Sequence, residues 1–299
     1  MVTRSTLLHL RIPFSFFLMP VFLFALAISP NLNETRLWLS FVIIHLFLYP
    51  ASNGYNSYFD KDEGSIGGLK NPPPVDKSLY YTSLWFDAIA LALAFTINIT
   101  FAVMLFAYGL VSKAYSHPSI RLKKYGILGW LITGFFQGFF SFLMCYVGIN
   151  QFGLQHILHA KVLVPGVLCT LMLWANYPMT QIYQHEEDRK HGDTTMSMLL
   201  GVMGTFYFAG SVFFAASVGF GLYFFEMHEA KYVLIFLACM LPVVSFFSVW
   251  LHQSFKDRSH VNYRNTMRLN IISSLCLNGF FIYFFLDSSQ VLQAIRGGY

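Results

Sequence analysis

Residues 49–64 read YPASNGYNSYFDKDEG and residues 177–192 read YPMTQIYQHEEDRKHG, so one segment occurs twice, at an offset of 128 (177 − 49 = 128). Each copy ends an apolar run with amides and carboxylates. Helix positions spaced i, i+3 and i+7 share one face, which predicts two carboxamides and one carboxylate side by side in each copy. The two faces comprise Asn53, Asn56 and Asp60, and Gln181, Gln184 and Asp188. Brought together, they would supply the oxygen ligands that Mg²⁺ prefers.

The composition is that of a membrane protein. Hydrophobic residues make up 56% of the 299 positions and charged residues only 11%, against roughly 25% charged residues in soluble domains. A membrane-spanning helix needs about 20 apolar residues, and nine runs are that long or nearly so. They cover approximately 12–29, 37–56, 78–95, 97–114, 125–148, 157–180, 198–224, 231–252 and 267–286. We therefore predict an all-α protein in which a single domain (1–299) forms a bundle of nine transmembrane helices around a central cavity.

The distribution of Lys and Arg predicts the orientation. If the N-terminus and every second loop share one side, that side holds all but four of the 19 basic residues. The four on the other side are Arg36, Lys161, Lys231 and Arg296. The positive-inside rule makes the first side cytoplasmic, and both copies of the segment fall there because four spans separate them. The formal charge of +5 thus reflects orientation, and no basic stretch with interleaved aromatic residues indicates nucleic-acid binding.

Acidic residues are concentrated in and beside the two copies. They are Asp60, Asp62 and Glu63 in one group, and Glu186, Glu187, Asp188 and Asp193 in the other. A carboxylate at membrane depth costs about 2.5–3.5 kcal/mol by insertion scales, and crowded carboxylates raise one another's pKa. Solvated loops neutralised by Lys61, Arg189 and Lys190 would explain one such group, but not its repetition at helical spacing. We therefore expect a bound cation between the copies.

These residues resemble motifs of the UbiA-type intramembrane prenyltransferases, which read Asn-Asp-x-x-Asp-x-x-x-Asp and Asp-x-x-x-Asp-x-x-x-Gly. Asn56 and Asp60 match the first motif, and Asp188 and Gly192 match the second. Three positions that are aspartates in the family differ here, namely Ser57, Gly64 and Gln184. These differences leave the number of metal ions open. The acidic residues near enough to compensate are Asp62, Glu63, Glu186, Glu187 and Asp193.

Two further matches support the resemblance, which covers nearly the whole chain. Residues 115–123 read YSHPSIRLK, similar to Tyr-Ser-x-Pro-Pro-x-Arg-Leu-Lys in the family. Arg11, beside Pro13 at the start of the first span, resembles the basic residue that many members carry there. The loop motif at 115–123 leans slightly away from the hydroxybenzoate branch of the family.

The resemblance implies Mg²⁺-dependent transfer of a prenyl group from an isoprenoid diphosphate to an aromatic or lipid-like acceptor within the membrane, with release of pyrophosphate. Residues expected to be catalytic are Asn56, Asp60 and Asp188. Expected Mg²⁺ ligands are Asn56, Asp60, Gln184, Glu187 and Asp188. Expected substrate-binding residues are Arg11, Asn53, Lys70, Tyr115, Arg121, Lys123, Gln181 and Tyr183. The isoprenoid tail would stay in the lipid, since each buried CH₂ contributes about 0.8 kcal/mol.

The sequence leaves several alternatives open. A membrane transporter or cation-binding channel would use the same acidic groups, although transporter sites commonly lie near the bilayer midplane between inverted repeats, whereas this repeat is parallel. No residue selects an acceptor, a prenyl chain length or an oligomeric state. Asp87 lies inside the third predicted span, away from both motifs, and has no assigned role.

Overall fold

The computed structural model describes residues 2–289, which are almost entirely helical. The α-helices are α1 (Arg4–Leu10), α2 (Met19–Ala27), α3 (Glu34–Asp60), α4 (Lys77–Ile97), α5 (Ile99–Ser116), α6 (Gly126–Asn150), α7 (Ala160–Gln181), α8 (His185–Lys190), α9 (Met196–Met227), α10 (Ala230–Lys256) and α11 (Tyr263–Ser288). Short 3-10 segments cover Ile12–Phe17, Leu122–Lys124, Leu154–His156 and Arg258–His260. Helices α3 and α6 contain π-helical turns at Ile43–Leu48 and Phe136–Phe140. A two-residue strand, β1 (Thr194–Thr195), pairs in parallel with Tyr125 and Gly126.

Eight of these helices, α3 to α7 and α9 to α11, are long and apolar enough to cross a membrane. The predicted all-α membrane bundle is therefore confirmed for the described residues. A ninth crossing is available where Arg4–Phe17 meets α2 at a bend of 43°. The first predicted span, at 12–29, is bent because Pro13 and Pro20 each begin a new helical segment, and proline has no N–H to continue the preceding one. Of the basic residues used for orientation, Arg296 lies outside the described residues.

Asn98, which lies at the start of the fourth predicted span, separates α4 from α5. Its backbone is extended (φ −166°), and its side-chain oxygen accepts a hydrogen bond from the Phe101 N–H at 2.7 Å. Asparagine at this position satisfies one of the free N–H groups at the start of α5. One polar residue therefore ends one apolar helix and starts the next.

The two copies of the repeated segment differ in backbone. The first copy lies on one uninterrupted helix, so Asn53, Asn56 and Asp60 share a face as predicted. The second copy does not, because α7 ends at Gln181 and α8 begins at His185. The prediction of a single helical face is therefore wrong for the second copy.

A tight turn at 182–184 causes this break. The Gln184 N–H bonds the Gln181 carbonyl at 2.9 Å, an i→i+3 pattern that is tighter than an α-helix. The Gln184 side chain then donates from Nε2 to the Ser65 carbonyl at 3.1 Å. Because Ser65 lies in the loop after the first copy, this contact holds the two copies together.

Aromatic side chains pack around Phe24 of α2 in the interior of the bundle. Phe24 is fully buried, stacks on Phe281 of α11 at 4.6 Å between ring centroids, and meets Phe142 of α6 edge-on at 5.4 Å. Large apolar side chains such as Trp85 and Leu234 are about two-thirds or more exposed. This pattern is the one expected of a bundle whose outer surface contacts lipid.

Asp87 forms an ion pair with Lys113 of α5. Both side chains are largely shielded, and the Lys113 ammonium also lies 5.3 Å from the centroid of the Tyr55 ring. A charged group inside a membrane helix generally has such a partner. Neither Asp87 nor Lys113 lines the cavity described below, so the pair ties α4 to α5.

Candidate active site

A cavity of about 290 Å³ lies where the two copies of the segment meet. Most of the side chains predicted to bind metal or substrate line it. They are Arg11, Asn53, Asn56, Asp60, Tyr115, Lys123, Gln181, Tyr183, Gln184, Glu187 and Asp188. Asp60 and Asp188, which come from different copies, therefore share one cavity. Lys70 is exposed and does not line this cavity, and Arg121 lies behind it.

An ion-pair network occupies one wall. The Lys123 ammonium lies 2.6 Å from Asp60 Oδ1 and 3.2 Å from Asp193 Oδ2. Arg121 donates from Nε and Nη2 to the two oxygens of Asp193, at 2.8 and 2.9 Å, and its Nη1 lies 3.6 Å from Asp60. The two carboxylates are almost fully buried, so this pairing is what makes their charges tolerable.

Local backbone pairing brings this network together. Asp193 immediately precedes β1. This strand pairs with Tyr125 and Gly126, which follow Arg121 and the 3-10 segment Leu122–Lys124. Burial lowers the pKa of the Lys123 ammonium, but the nearby carboxylates of Asp60 and Asp193 outweigh burial, so this pKa lies above its usual value. Lys123 therefore remains charged at the cavity wall.

Asp188 and Asp62 lie beside this network and are both affected by burial. Burial raises the pKa of Asp188 to about 7, although Lys123 acts in the opposite direction. Burial, together with the charge of Asp60, raises the pKa of Asp62 to about 6. Asp188 Oδ2 is buried without a hydrogen-bond partner. An orphaned, desolvated carboxylate of this kind is expected where a cation binds.

A second group of ligand atoms adjoins Asp188. Asp62, Glu187 and His191 each place one such atom within 4.8 Å of the others. Glu187 Oε1 accepts a hydrogen bond from the Glu63 N–H at 3.2 Å, which joins α8 to the end of the first copy. Glu187 was expected as a ligand, whereas His191 was not. Carboxylate oxygens suit a hard divalent cation such as Mg²⁺, whereas imidazole is a ligand more typical of transition metals.

Hydrogen bonds fix several of the other predicted residues. Ser116 Oγ donates to Asn56 Oδ1 at 2.5 Å, and the hydroxyls of Tyr115 and Tyr177 are hydrogen-bonded to each other. These contacts connect the end of α5 to both copies. The predicted side chains on this wall are thus held in place before any ligand binds.

Arg11 is positioned by the loop that follows the first copy. Its guanidinium donates from Nη1 to the Gly67 carbonyl at 3.0 Å and from Nη2 to the Asn53 carbonyl at 3.2 Å. It also lies 5.4 Å from the centroid of the Phe14 ring. The left-handed backbone of Arg11 (φ 46°) ends α1 and starts the next segment. The side chain therefore enters the cavity from a bend in the chain.

Sequence reasoning missed several other polar residues of the cavity. Gln137 of α6, Asn176 of α7, and Thr266 and Asn270 of α11 also line it. The motifs gave no reason to choose a residue from the last span. The spacing of Thr266 and Asn270 could have identified them, since polar residues four apart share one face of an otherwise apolar helix.

An apolar cavity of about 780 Å³ adjoins the first one. Phe17, Leu173 and Asn176 line both cavities. The remainder of the apolar cavity is formed by side chains of α2, α7, α9, α10 and α11, with few polar atoms. A charged chamber and an apolar chamber are therefore adjacent within the bundle.

The sequence model of the UbiA prenyltransferase family matches residues 17–272, which include both copies of the segment. The chain belongs to this family. The match confirms the resemblance drawn from the motifs. No curated protein sequence matches this UbiA-family chain at a significant level.

Solved structures share the fold of this UbiA-family protein. A UbiA homologue from Archaeoglobus fulgidus bound to GPP and Mg²⁺ has a TM-score of 0.65 and 16% identity, with 94% of this chain and 99% of that chain covered. The same homologue bound to DMAPP and Mg²⁺ gives a TM-score of 0.64, also at 16% identity, with the same coverage. A digeranylgeranylglyceryl phosphate synthase structure gives 0.58 at 17% identity and covers 95% of this chain and 98% of that chain. At sequence identities this low, the similarity to these structures shows a shared fold and nothing more.

Proposed function

We propose that this chain transfers a prenyl group from an isoprenoid diphosphate to an aromatic or lipid-like acceptor within the membrane, with Mg²⁺ as cofactor. One observation carries the proposal. A chamber lined by carboxylates and basic side chains shares lining residues with an adjoining apolar chamber inside a membrane bundle. A prenyl diphosphate has the same division into a charged head and an apolar tail.

The charged chamber suits the diphosphate. Five carboxylates (Asp60, Asp62, Glu187, Asp188 and Asp193) and two basic side chains (Arg11 and Lys123) line this chamber, and Arg121 pairs with Asp193 from behind. The basic groups alone do not balance the acids, so the site favours a divalent cation together with the anion it binds. Lys123 and Arg11 line the chamber and are placed to pair with phosphate oxygens.

The residues present fit Mg²⁺. Asp188 has a buried oxygen without a partner, and Asp62 and Glu187 present oxygens close to each other. These residues, with Asn56, Asp60 and Gln184 beside them, would hold the ion. When bound, Mg²⁺ acts as a Lewis acid that stabilises the negative charge of the departing pyrophosphate.

The chain's own residues orient and shield the reacting groups. In the transfer, the allylic C–O bond breaks with its electron pair leaving on pyrophosphate, the acceptor bonds to the freed carbon, and the acceptor loses a proton. Lys123 and Arg11 stabilise the charge that develops on pyrophosphate. Tyr115 and Tyr177 are hydrogen-bonded to each other at the chamber wall, where their ring faces would stabilise an allylic cation. The apolar chamber keeps the tail away from water.

Detergent-purified protein with Mg²⁺, radiolabelled geranyl, farnesyl or geranylgeranyl diphosphate, and a panel of phenolic, naphthoic and glycerol acceptors tests this function. We expect acceptor-dependent formation of a prenylated product with one pyrophosphate released per product, and loss of both on addition of EDTA. Inactivity with every pair of substrates, combined with Mg²⁺-dependent solute flux in proteoliposomes, would favour the transporter alternative instead.

A further inference from the structure

Helix α11 carries a stripe of polar side chains. Thr266, Asn270, Ser274 and Asn278 recur every four residues and are all buried, whereas most of the remaining helix is apolar. Residues at this spacing lie on one face, so the stripe points into the bundle. Polar side chains on the inner face of a membrane helix require hydrogen-bond partners or line a functional cavity.

Two residues of this stripe face the charged chamber without partners. Thr266 is 1% exposed and Asn270 is 4% exposed, and both line the chamber. Neither Thr266 Oγ1 nor Asn270 Oδ1 has a hydrogen-bond partner. Buried polar atoms of native proteins are nearly always satisfied, so unpaired atoms directed at a chamber indicate a ligand that pairs with them.

Asn270 lies farther along α11 from the second copy than the start of the helix does. Tyr263, at the start of α11, contacts Tyr183 beside the second copy, with ring centroids 5.7 Å apart. Asn270 follows seven residues later (270 − 263 = 7), which places it roughly 10 Å farther along the helix at about 1.5 Å per residue. Gln137 and Asn176 line the same chamber, so four neutral hydrogen-bonding side chains are available there.

Few cations are available in this chamber, as far as the described residues show. The basic residues that line the chamber are Arg11 and Lys123. Lys123 is bound to Asp60 and Asp193, and Arg11 donates to backbone carbonyls of the first copy and its loop. Backbone carbonyls carry no formal charge, so Arg11 remains a cation, and it is one of the groups proposed to pair with the diphosphate. With the diphosphate bound, an anionic acceptor beside Thr266 and Asn270 would have no further counter-ion, and burying an unpaired charge is strongly unfavourable.

We propose that Thr266 and Asn270 form the acceptor subsite and hydrogen-bond the hydroxyl or carbonyl group of an uncharged acceptor. This inference rests on the proposed prenyl transfer and specifies its second substrate by class. The diphosphate occupies the chamber near the two copies, the tail extends into the apolar cavity past Phe17 and Leu173, and the acceptor reaches the reacting carbon from α11.

Steady-state kinetics with matched acceptor pairs test the charge preference. The pairs are 4-hydroxybenzoate and its methyl ester, 1,4-dihydroxy-2-naphthoate and its methyl ester, and a glycerol phosphate monoalkyl ether and the corresponding glycerol monoether. In at least one pair we expect the uncharged member to exceed its anionic partner by about tenfold or more in kcat/KM. A wild-type preference for the anionic member in the pairs that react would overturn the inference.

Variants of α11 test the assigned residues. Asn270→Ala should raise the acceptor KM by about tenfold, while Mg²⁺-dependent binding of the prenyl diphosphate changes by less than about twofold. Thr266→Val, which keeps the side-chain shape, should also raise the acceptor KM. This variant tests the inference if Asn270→Ala does not fold. The matched control is Asn278→Ala, since Asn278 is buried and unpartnered on the same face but does not line the chamber.

The outcomes separate this inference from the proposed function. An acceptor KM raised by Asn270→Ala or Thr266→Val and unchanged by Asn278→Ala supports the subsite. Unchanged acceptor KM in both variants, or an equal rise in the control, overturns the subsite while leaving prenyl transfer intact. A wild-type protein that transfers no prenyl group to any acceptor overturns the proposed function and this inference together.

Discussion

The two copies of the repeated segment have similar sequences but different structures and electrostatics. In the first copy, Asp60 ends a continuous helix and is neutralised by Lys123 and Arg121. In the second, Asp188 sits on the separate helix α8, forms no salt bridge within the described chain, and has its pKa raised by burial to about 7. In the proposed site, the carboxylate of the first copy would therefore hold the basic residues in place. The carboxylate of the second copy would bind the cation.

The copies also terminate differently. Lys61 ends α3 in the left-handed conformation (φ 52°), whereas the corresponding reversal after α8 is made by Gly192 (φ 71°). Gly64, the counterpart of Gly192, has no such requirement. An identical residue at equivalent positions of a repeat therefore does not imply an identical backbone.

The largest effect is expected from removing either aspartate. Asp60→Asn and Asp188→Asn should each lower turnover by roughly a hundredfold or more, the scale of losing a charge that stabilises a transition state. Only Asp60→Asn should also destabilise the protein, by about 1.5–3 kcal/mol, because it breaks a buried charged hydrogen bond to Lys123. Turnover and thermal unfolding in detergent check both statements. Glu186→Gln, on the exposed side of α8, is the control, and near-wild-type turnover of both aspartate variants would contradict the assignment.

A smaller effect should distinguish Lys123 from Arg121. Lys123 lines the chamber, so Lys123→Gln should raise the KM for the prenyl diphosphate by roughly ten- to a hundredfold, the equivalent of one charge-assisted hydrogen bond. Arg121 lies behind Asp193, so Arg121→Gln should lower the thermal stability more than it changes this KM. Cysteine accessibility of the loop verifies its orientation in each variant. Unchanged kinetic constants in correctly oriented Lys123→Gln protein would assign these charges to topology alone.

The pH dependence of Mg²⁺ binding should follow the ionisation of Asp188. Because the pKa of Asp188 is raised to about 7, its contribution to the stability of metal-free protein is complete below about pH 4, near the pKa of an unfolded Asp, and is lost as the pH rises to about 7. Mg²⁺ requires the ionised carboxylate, so the rise in Tm on adding Mg²⁺ should grow between about pH 6 and pH 8. Asp188→Asn should flatten this dependence and Glu186→Gln should preserve it. An identical slope in Asp188→Asn and the wild type would assign the pH dependence to another group.

The smallest effect concerns the two glycines. Gly192→Ala should lower the free energy of unfolding by about 1–2 kcal/mol, because alanine disfavours the left-handed backbone while the space around Gly192 is open. Gly64→Ala should change it by less than about 0.5 kcal/mol, since the added methyl group would meet only Glu187 Oε2 at an ordinary 3.6 Å. Thermal unfolding of the two variants measures this difference. Equal destabilisation by both would contradict the explanation from the left-handed backbone of Gly192.

Much of the architecture was predictable because helix geometry and the membrane leave a direct trace in sequence. Apolar runs of spanning length predicted the helices, and the spacing of Asn53, Asn56 and Asp60 predicted their common face. The break between Gln181 and His185 was not predictable from the repeat, since it depends on contacts such as that between Gln184 and the Ser65 loop. The contact between Arg121 and Asp193 was likewise not predictable from the motif, because the two residues are 72 positions apart.

The sequence by itself determined the membrane class, the approximate spans and the duplicated acidic segment, because these depend on composition and on spacing within single helices. The resemblance of its motifs indicated the family. The tertiary structure decided which carboxylates are paired and which are left free, and it joined a charged chamber to an apolar one. It also brought Thr266 and Asn270 of the last helix into that chamber. Such properties depend on burial and on the distance between charges from different helices, and neither quantity is fixed until the helices pack.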